Sequence, residues 1–191
     1  MNYLKLFAFS PFLFYKAPFK ASSPWIVQDS DELDLEIKRS TLPLPSLVLL
    51  NGLFAKRTFE PEEIIGEYRG PIIEDEKAGD PCFDYEDKLL GLNEKYDLLG
   101  RSIAAYANDC IDFKYEKYGT EEYKQWIEKE KFPNHKGCEY NSKFMFKGNK
   151  VFLVSMRQIK AGEEIFLSYG FGYWKGYYDY YDENGQIKQN V

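Results

Sequence analysis

From Ser46 to Ile73 the chain reads SLVLLNGLFAKRTFEPEEIIGEYRGPII. Short apolar runs are cut by Asn51-Gly52, Pro61 and Gly70-Pro71 at close intervals. This spacing predicts a compact β architecture rather than βαβ units. Asn51-Gly52 reads as a hairpin turn between two strands, because both residues tolerate positive φ. A strand is predicted at Ile64–Tyr68, a break at Gly70, and a short strand at Pro71–Ile73.

The rest of the chain continues the pattern. DSDELDLEIKRST, residues 29–41, alternates acidic and apolar residues as an edge strand or a linker would. RSIAAYANDC reads as a strand or a helical turn. GTEEYKQWIEKEKF carries a helix signature: Thr120 as cap, Glu121 and Glu122 in the first turn, and Tyr123, Trp126 and Ile127 on one face. EYNSKFMFKGNKVFLVSMRQI reads as a hairpin around Lys147-Gly148-Asn149, KAGEE as a turn, and IFLSYG as a last strand. Residues 74–87 crowd acids around a single lysine, which is the pattern of a solvated loop or of a groove for a basic peptide.

At 191 residues the chain has room for one domain with a real core. The net charge of −6 argues against a general nucleic-acid binder and fits a basic partner. Cys82, Cys110 and Cys138 are too few and too widely spaced for a zinc site. One disulfide is open to them, but the odd count favours reduced thiols and an intracellular setting, nuclear or cytoplasmic. The single histidine, His135, lies in a polar stretch and reads as a solvated loop residue. No run is long enough for a membrane span. The start is basic, aromatic and free of acids before Asp29, as in a targeting peptide, which keeps the mitochondrion open. It lacks Arg, however, and reads better as an ordered arm that packs on the domain, a partner protein or a second copy.

Four stretches, taken in order, resemble the SET domain of protein-lysine methyltransferases. NGLFAKRTFEPEEIIGEYRGPII resembles its opening segment, YANDC its asparagine motif, VFLVSMRQIKAGEEI the strand and turn that follow, and FLSYGFGYW its final motif. The resemblance covers about residues 46–174. It implies a mostly β (α+β) β-clip fold of small curved sheets with a C-terminal pseudoknot and short helical insertions. The implied layout is an arm at 1–45, a SET domain at 46–176 with an insertion at about 111–140, and a tail at 177–191. No cysteine-rich segment follows the final motif.

The resemblance also implies the activity: S-adenosylmethionine-dependent methyl transfer to a lysine in a histone or another basic segment. It places Tyr169 as the catalytic tyrosine and Tyr68 beside it. Gly52, Leu53 and Phe54 match a glycine turn that wraps the cofactor. Asn108 matches the residue that anchors its methionine part, Asp109 stands where many members have histidine, and Trp174 is placed to stack on adenine. Tyr173 and Tyr106 line the implied substrate channel. Asn141 matches the second asparagine of the motif, and Ser168 stands where many members have aspartate. Gly170 and Gly172 are expected to let the chain bend after the last strand. The acidic tail, with Asp179, Asp182 and Glu183, complements a basic peptide. Leu50, where the family usually has glycine, and Asp109 support an alternative: a catalytically inactive SET-like subunit of a larger assembly.

Overall fold

A computed structural model describes residues 33–43, 50–74, 88–92, 96–112, 114, 117, 119–148 and 150–180. Cys82, the acidic loop from residue 75, Asp182, Glu183 and the arm up to residue 32 lie outside them. Three small antiparallel sheets carry the fold. The first is ordered β1 (Leu35–Arg39), β2 (Asn51–Ala55), β9 (Glu164–Ile165). The second is β3 (Ile64–Tyr68), β8 (Lys150–Ser155), β7 (Ser142–Lys147), and the third β4 (Ile72–Glu74), β6 (Tyr96–Gly100), β5 (Lys88–Gly91). A 3-10 turn at Ile103–Tyr106 and helices α1 (Glu121–Glu128) and α2 (Phe171–Tyr180) join them.

β2 is the central strand of its sheet, and its side chains show it. Leu53, Phe54 and Ala55 are all buried, on both faces. Asn51 and Gly52 do not turn. They open β2 and pair with Arg39 and Lys38 of β1. This corrects the Asn-Gly hairpin: the partner strand is β1, from the stretch assigned to the arm. β9 reaches only Leu53 and Phe54.

The expected strand at Ile64–Tyr68 and the β7/β8 hairpin form at the predicted residues. β5 and β6 have no counterpart in the sequence reading. Helix α2 has no counterpart in the sequence reading either: it starts in the final motif and ends at Tyr180, in the first residues of the tail.

The main core lies between the sheets, with Leu53, Phe59, Leu153, Ile159 and Ile165 essentially sealed from solvent. A second cluster forms around Phe132 and Trp174. α1 joins it as its sequence predicts. Thr120 Oγ1 accepts the Tyr123 amide at 3.2 Å and caps the helix. Tyr123, Trp126 and Ile127 face the cluster, and the Phe132 ring stacks on Phe171 at 5.2 Å. The insertion therefore packs against the start of α2.

Two expectations about the insertion are corrected. Cys110 and Cys138 form a disulfide with Cα atoms 5.6 Å apart, so these thiols are not free. The odd count was misleading because it includes Cys82. His135 is not solvated either. Its side chain is 12% exposed, its amide donates to Cys110 O, and its Nδ1 lies 3.4 Å from Asp112 Oδ1. No helix among the described residues is long and apolar enough to cross a membrane.

Candidate active site

The site forms where the asparagine segment meets the last strand. Asn108 bridges in parallel to Phe166 on one side of that strand. Ser142 bridges in parallel to Leu167 on the other. The last segment is thus gripped between the two asparagine regions, as the resemblance implies. Asn141 makes the grip firm: its amide donates to Glu164 O and accepts from Phe166 N, both at 2.8 Å.

Asn108 is 1% exposed. Its Nδ2 donates to Asn51 O at 3.0 Å and to Glu164 Oε1 at 3.2 Å. Two acceptors fix which end of the amide is nitrogen. Among the described residues the other end, Oδ1, is buried without a partner. Gly52 lies directly against this group. A Cβ there would collide with Glu164 Oε1 and come within 3.1 Å of Asn108 Nδ2. Glu164, buried itself, also accepts from Ser40 Oγ at 2.7 Å and from the Thr41 amide and hydroxyl at 2.6 Å. Leu50 is buried beside this strand start, and its carbonyl accepts the Ser40 amide.

Asp109 is the second buried acid. Its Oδ1 accepts from Tyr140 Oη at 2.6 Å and from the Ile111 amide at 3.0 Å. Its Oδ2 accepts from the Tyr169 amide at 2.6 Å and from Trp174 Nε1 at 2.9 Å. Burial pushes its carboxyl pKa up, and the four donors oppose that shift.

Tyr169 is held at both ends. Its amide is on Asp109, and its phenol donates to Ala107 O at 2.9 Å. Gly170 follows at φ 90°, which only a residue without Cβ adopts freely, and it turns the chain into α2. One helical turn later Tyr173 and Trp174 return to Tyr169. Tyr173 meets it edge-on at 5.2 Å, and Trp174 stacks parallel to it at 6.3 Å. Gly172 lies within the helix. Burial first, then Tyr173, Asp109 and Tyr68, push the Tyr169 phenol well above its ordinary pKa. Burial does the same for Tyr68. Both are protonated at neutral pH.

The structure therefore brings Tyr169, Tyr173, Trp174, Asn108, Asp109 and Gly52 together. Tyr68 and Tyr106 are buried in the main core, against which Tyr169 packs. Leu53 and Phe54 are strand residues with both edges paired. Trp174 is 3% exposed, with one face on Tyr169 and its nitrogen on Asp109. Sequence reasoning missed Glu164 and Tyr140. The signal for Glu164 was an acid immediately before an apolar run, in KAGEEI, which was read as part of a turn.

A mostly β body of small antiparallel sheets holds a buried asparagine and an anchored tyrosine on adjoining segments. The SET domain family model matches residues 51–170, and the chain belongs to the SET-domain family. No curated protein matches it.

The donor set also fits the family's cofactor. S-adenosylmethionine carries an α-ammonium, and Asn108 Oδ1 is a buried acceptor without a donor, next to the Glu164 carboxylate.

Proposed function

We propose that the protein transfers a methyl group from S-adenosylmethionine to a lysine side chain in a basic protein segment. The observation that carries this reading is a pairing of adjacent residues. Tyr169 is anchored on the carbonyl of Ala107, and the next residue, Asn108, holds the open acceptor.

Bound here, S-adenosylmethionine supplies an electrophilic methyl on a sulfonium. Asn108 Oδ1 would receive the ammonium of its methionine part. Tyr169 donates its single phenolic proton to Ala107, and its hydroxyl oxygen is the acceptor that would orient the incoming amine. A lysine amine in water has a pKa of about 10.4 and must lose its proton before it attacks. Tyr173 meets Tyr169 edge-on, and Tyr68 and Tyr106 lie in the core against which Tyr169 packs; an ammonium brought against these rings would be desolvated, which favours the neutral form. Cation–π contact keeps the charged lysine tolerable on entry, at about 0.5–2 kcal/mol. A neutral amine oriented by Tyr169 would take that methyl, its C–N bond forming as the donor's C–S bond breaks, and the spare amine proton would pass to solvent. Alignment supplies much of the rate. Trp174 backs Tyr169 from the buried side, in place of the adenine contact its position first implied.

A second reading has support of its own. Leu50 fills the place of the family's first glycine and is buried, and Asp109 is fully occupied by donors. Both agree with a catalytically inactive subunit. Calorimetric titration with S-adenosylmethionine decides between them. Micromolar binding that Asn108→Ala abolishes, followed by methyl transfer to basic peptides that Tyr169→Phe removes, supports the enzyme. No binding at millimolar cofactor supports the inactive subunit.

A further inference from the structure

We infer that Asp109 is a positioning residue for Tyr169, and that Tyr140 ties the 111–140 insertion to that task. This rests on the reading of Tyr169 as the residue that orients the amine.

One carboxylate gathers four donors from four places in the chain. The Ile111 amide comes from its own segment, Tyr140 Oη from the end of the insertion, the Tyr169 amide from the last segment, and Trp174 Nε1 from α2. The two oxygens divide the work. Oδ1 holds the insertion, and Oδ2 holds the tyrosine and the indole that stacks on it. The Tyr169 phenol is then aimed at Ala107 O, two residues before Asp109. The tyrosine is thus fastened to one short segment by its backbone and by its hydroxyl. The Asp109 charge also opposes ionisation of Tyr169 and of Tyr140, which keeps both as donors.

The donors are one phenol, one indole and two backbone amides, none of which loses a proton in the near-neutral range. The neighbouring Cys110 is locked in the disulfide with Cys138, two residues before Tyr140. The insertion therefore reaches the tyrosine by two adjacent ties, one covalent and one through Asp109. An asparagine at 109 would keep the shape and present a donor to one of the two pairs. A phenylalanine at 140 would keep the ring and remove one donor.

The test uses the full chain, labelled with nitrogen-15, and reads the Tyr169 amide and the Trp174 indole resonances at neutral pH. Trp174→Phe assigns the indole among the three tryptophans. In Asp109→Asn and Tyr140→Phe both resonances are expected to move, while the β3–β8–β7 amides overlay with wild type. With S-adenosylmethionine and a basic peptide, kcat is expected to fall by about 10-fold or more in Asp109→Asn and roughly threefold in Tyr140→Phe. Cofactor affinity should change by less than about twofold in Tyr140→Phe, the split expected of a group that acts on the transition state. If Asp109→Asn does not fold, Tyr140→Phe carries the test alone. Resonances that stay put in Tyr140→Phe, or that move in an active enzyme whose kcat is unchanged, overturn the inference. If the resonances move and wild type transfers no methyl, the coupling of Asp109 to Tyr169 stands and the proposed reaction falls.

Discussion

Asn108 Nδ2 lies 3.2 Å from Glu164 Oε1, and this contact decides which way the Asn108 amide faces. With nitrogen directed at Glu164 and at Asn51 O, oxygen is left as the buried open acceptor. Asn108→Ala removes that acceptor and strips a donor from the buried Glu164 carboxylate and from the Asn51 carbonyl. Loss of a hydrogen bond to a charged group costs about 1.5–3 kcal/mol, so S-adenosylmethionine affinity should fall roughly 10- to 100-fold. Stability should fall by about 1–3 kcal/mol as well. Calorimetry and urea denaturation measure the two separately. Unchanged affinity in a folded variant would remove Asn108 from the cofactor site.

Gly52 and Gly172 form a matched pair for a space test. A Cβ at Gly52 runs into Glu164, whereas a Cβ at Gly172 meets nothing within 4 Å. Gly52→Ala should destabilise by about 1–3 kcal/mol, since Glu164 must move and its four partners with it. Gly172→Ala, in α2, should be neutral or stabilising by up to about 1 kcal/mol. Thermal melts of both variants check the contrast. Equal midpoints would mean that Gly52 has more room than the site geometry allows.

What the sequence disclosed was local. β3, the β7/β8 hairpin and α1 each declare themselves within about a dozen residues, through alternation, a glycine turn or a cap. Partner choice over longer distances was not legible. Asn51-Gly52 has the chemistry of a turn, yet β1 from upstream and β9 from the other end of the chain compete for β2 and win. α2 was hidden by Gly172 and Gly176, which weaken helix propensity; its packing on Phe132 and Tyr169 outweighs them. The site shows the same division. Asn108 and Tyr169 carry the motif resemblance, whereas Glu164 and Tyr140 enter the site through Asn108 and Asp109, 56 and 31 residues away.

The Cys110–Cys138 disulfide closes a loop across a separation of 28 residues. A loop of that size restricts the unfolded chain by roughly 3–4 kcal/mol in the chain-entropy account. Cys138→Ser should therefore lower stability by an amount of that order, and a dithiol reductant should lower the wild type to match. Hydrogen exchange should show the insertion amides, such as His135 on Cys110 O, losing protection before β2 does. A melting curve indifferent to reductant would show that the bond adds nothing to the folded state.

His135 gives the protein an acid limb. Burial pushes its imidazole below the ordinary range, and Lys114 adds to that, while Asp112 at 3.4 Å opposes both. The unfolded chain then binds the proton more tightly than the folded one, so as pH falls below about 6.5 protonation favours unfolding. Stability should rise with pH through that window and level off above it. Asp109 works with the opposite sign at lower pH. Its raised carboxyl pKa makes stability fall as pH climbs from the ordinary aspartate range of about 3.9 to the folded value. Urea unfolding at pH 5 and pH 7, in wild type and in His135→Gln, reads the imidazole's share. The loss of stability at the lower pH should be smaller in His135→Gln, because the imidazole no longer takes up a proton there. A variant with an undiminished pH dependence would assign the acid limb to another group, and the contact between His135 and Asp112 would then contribute only packing.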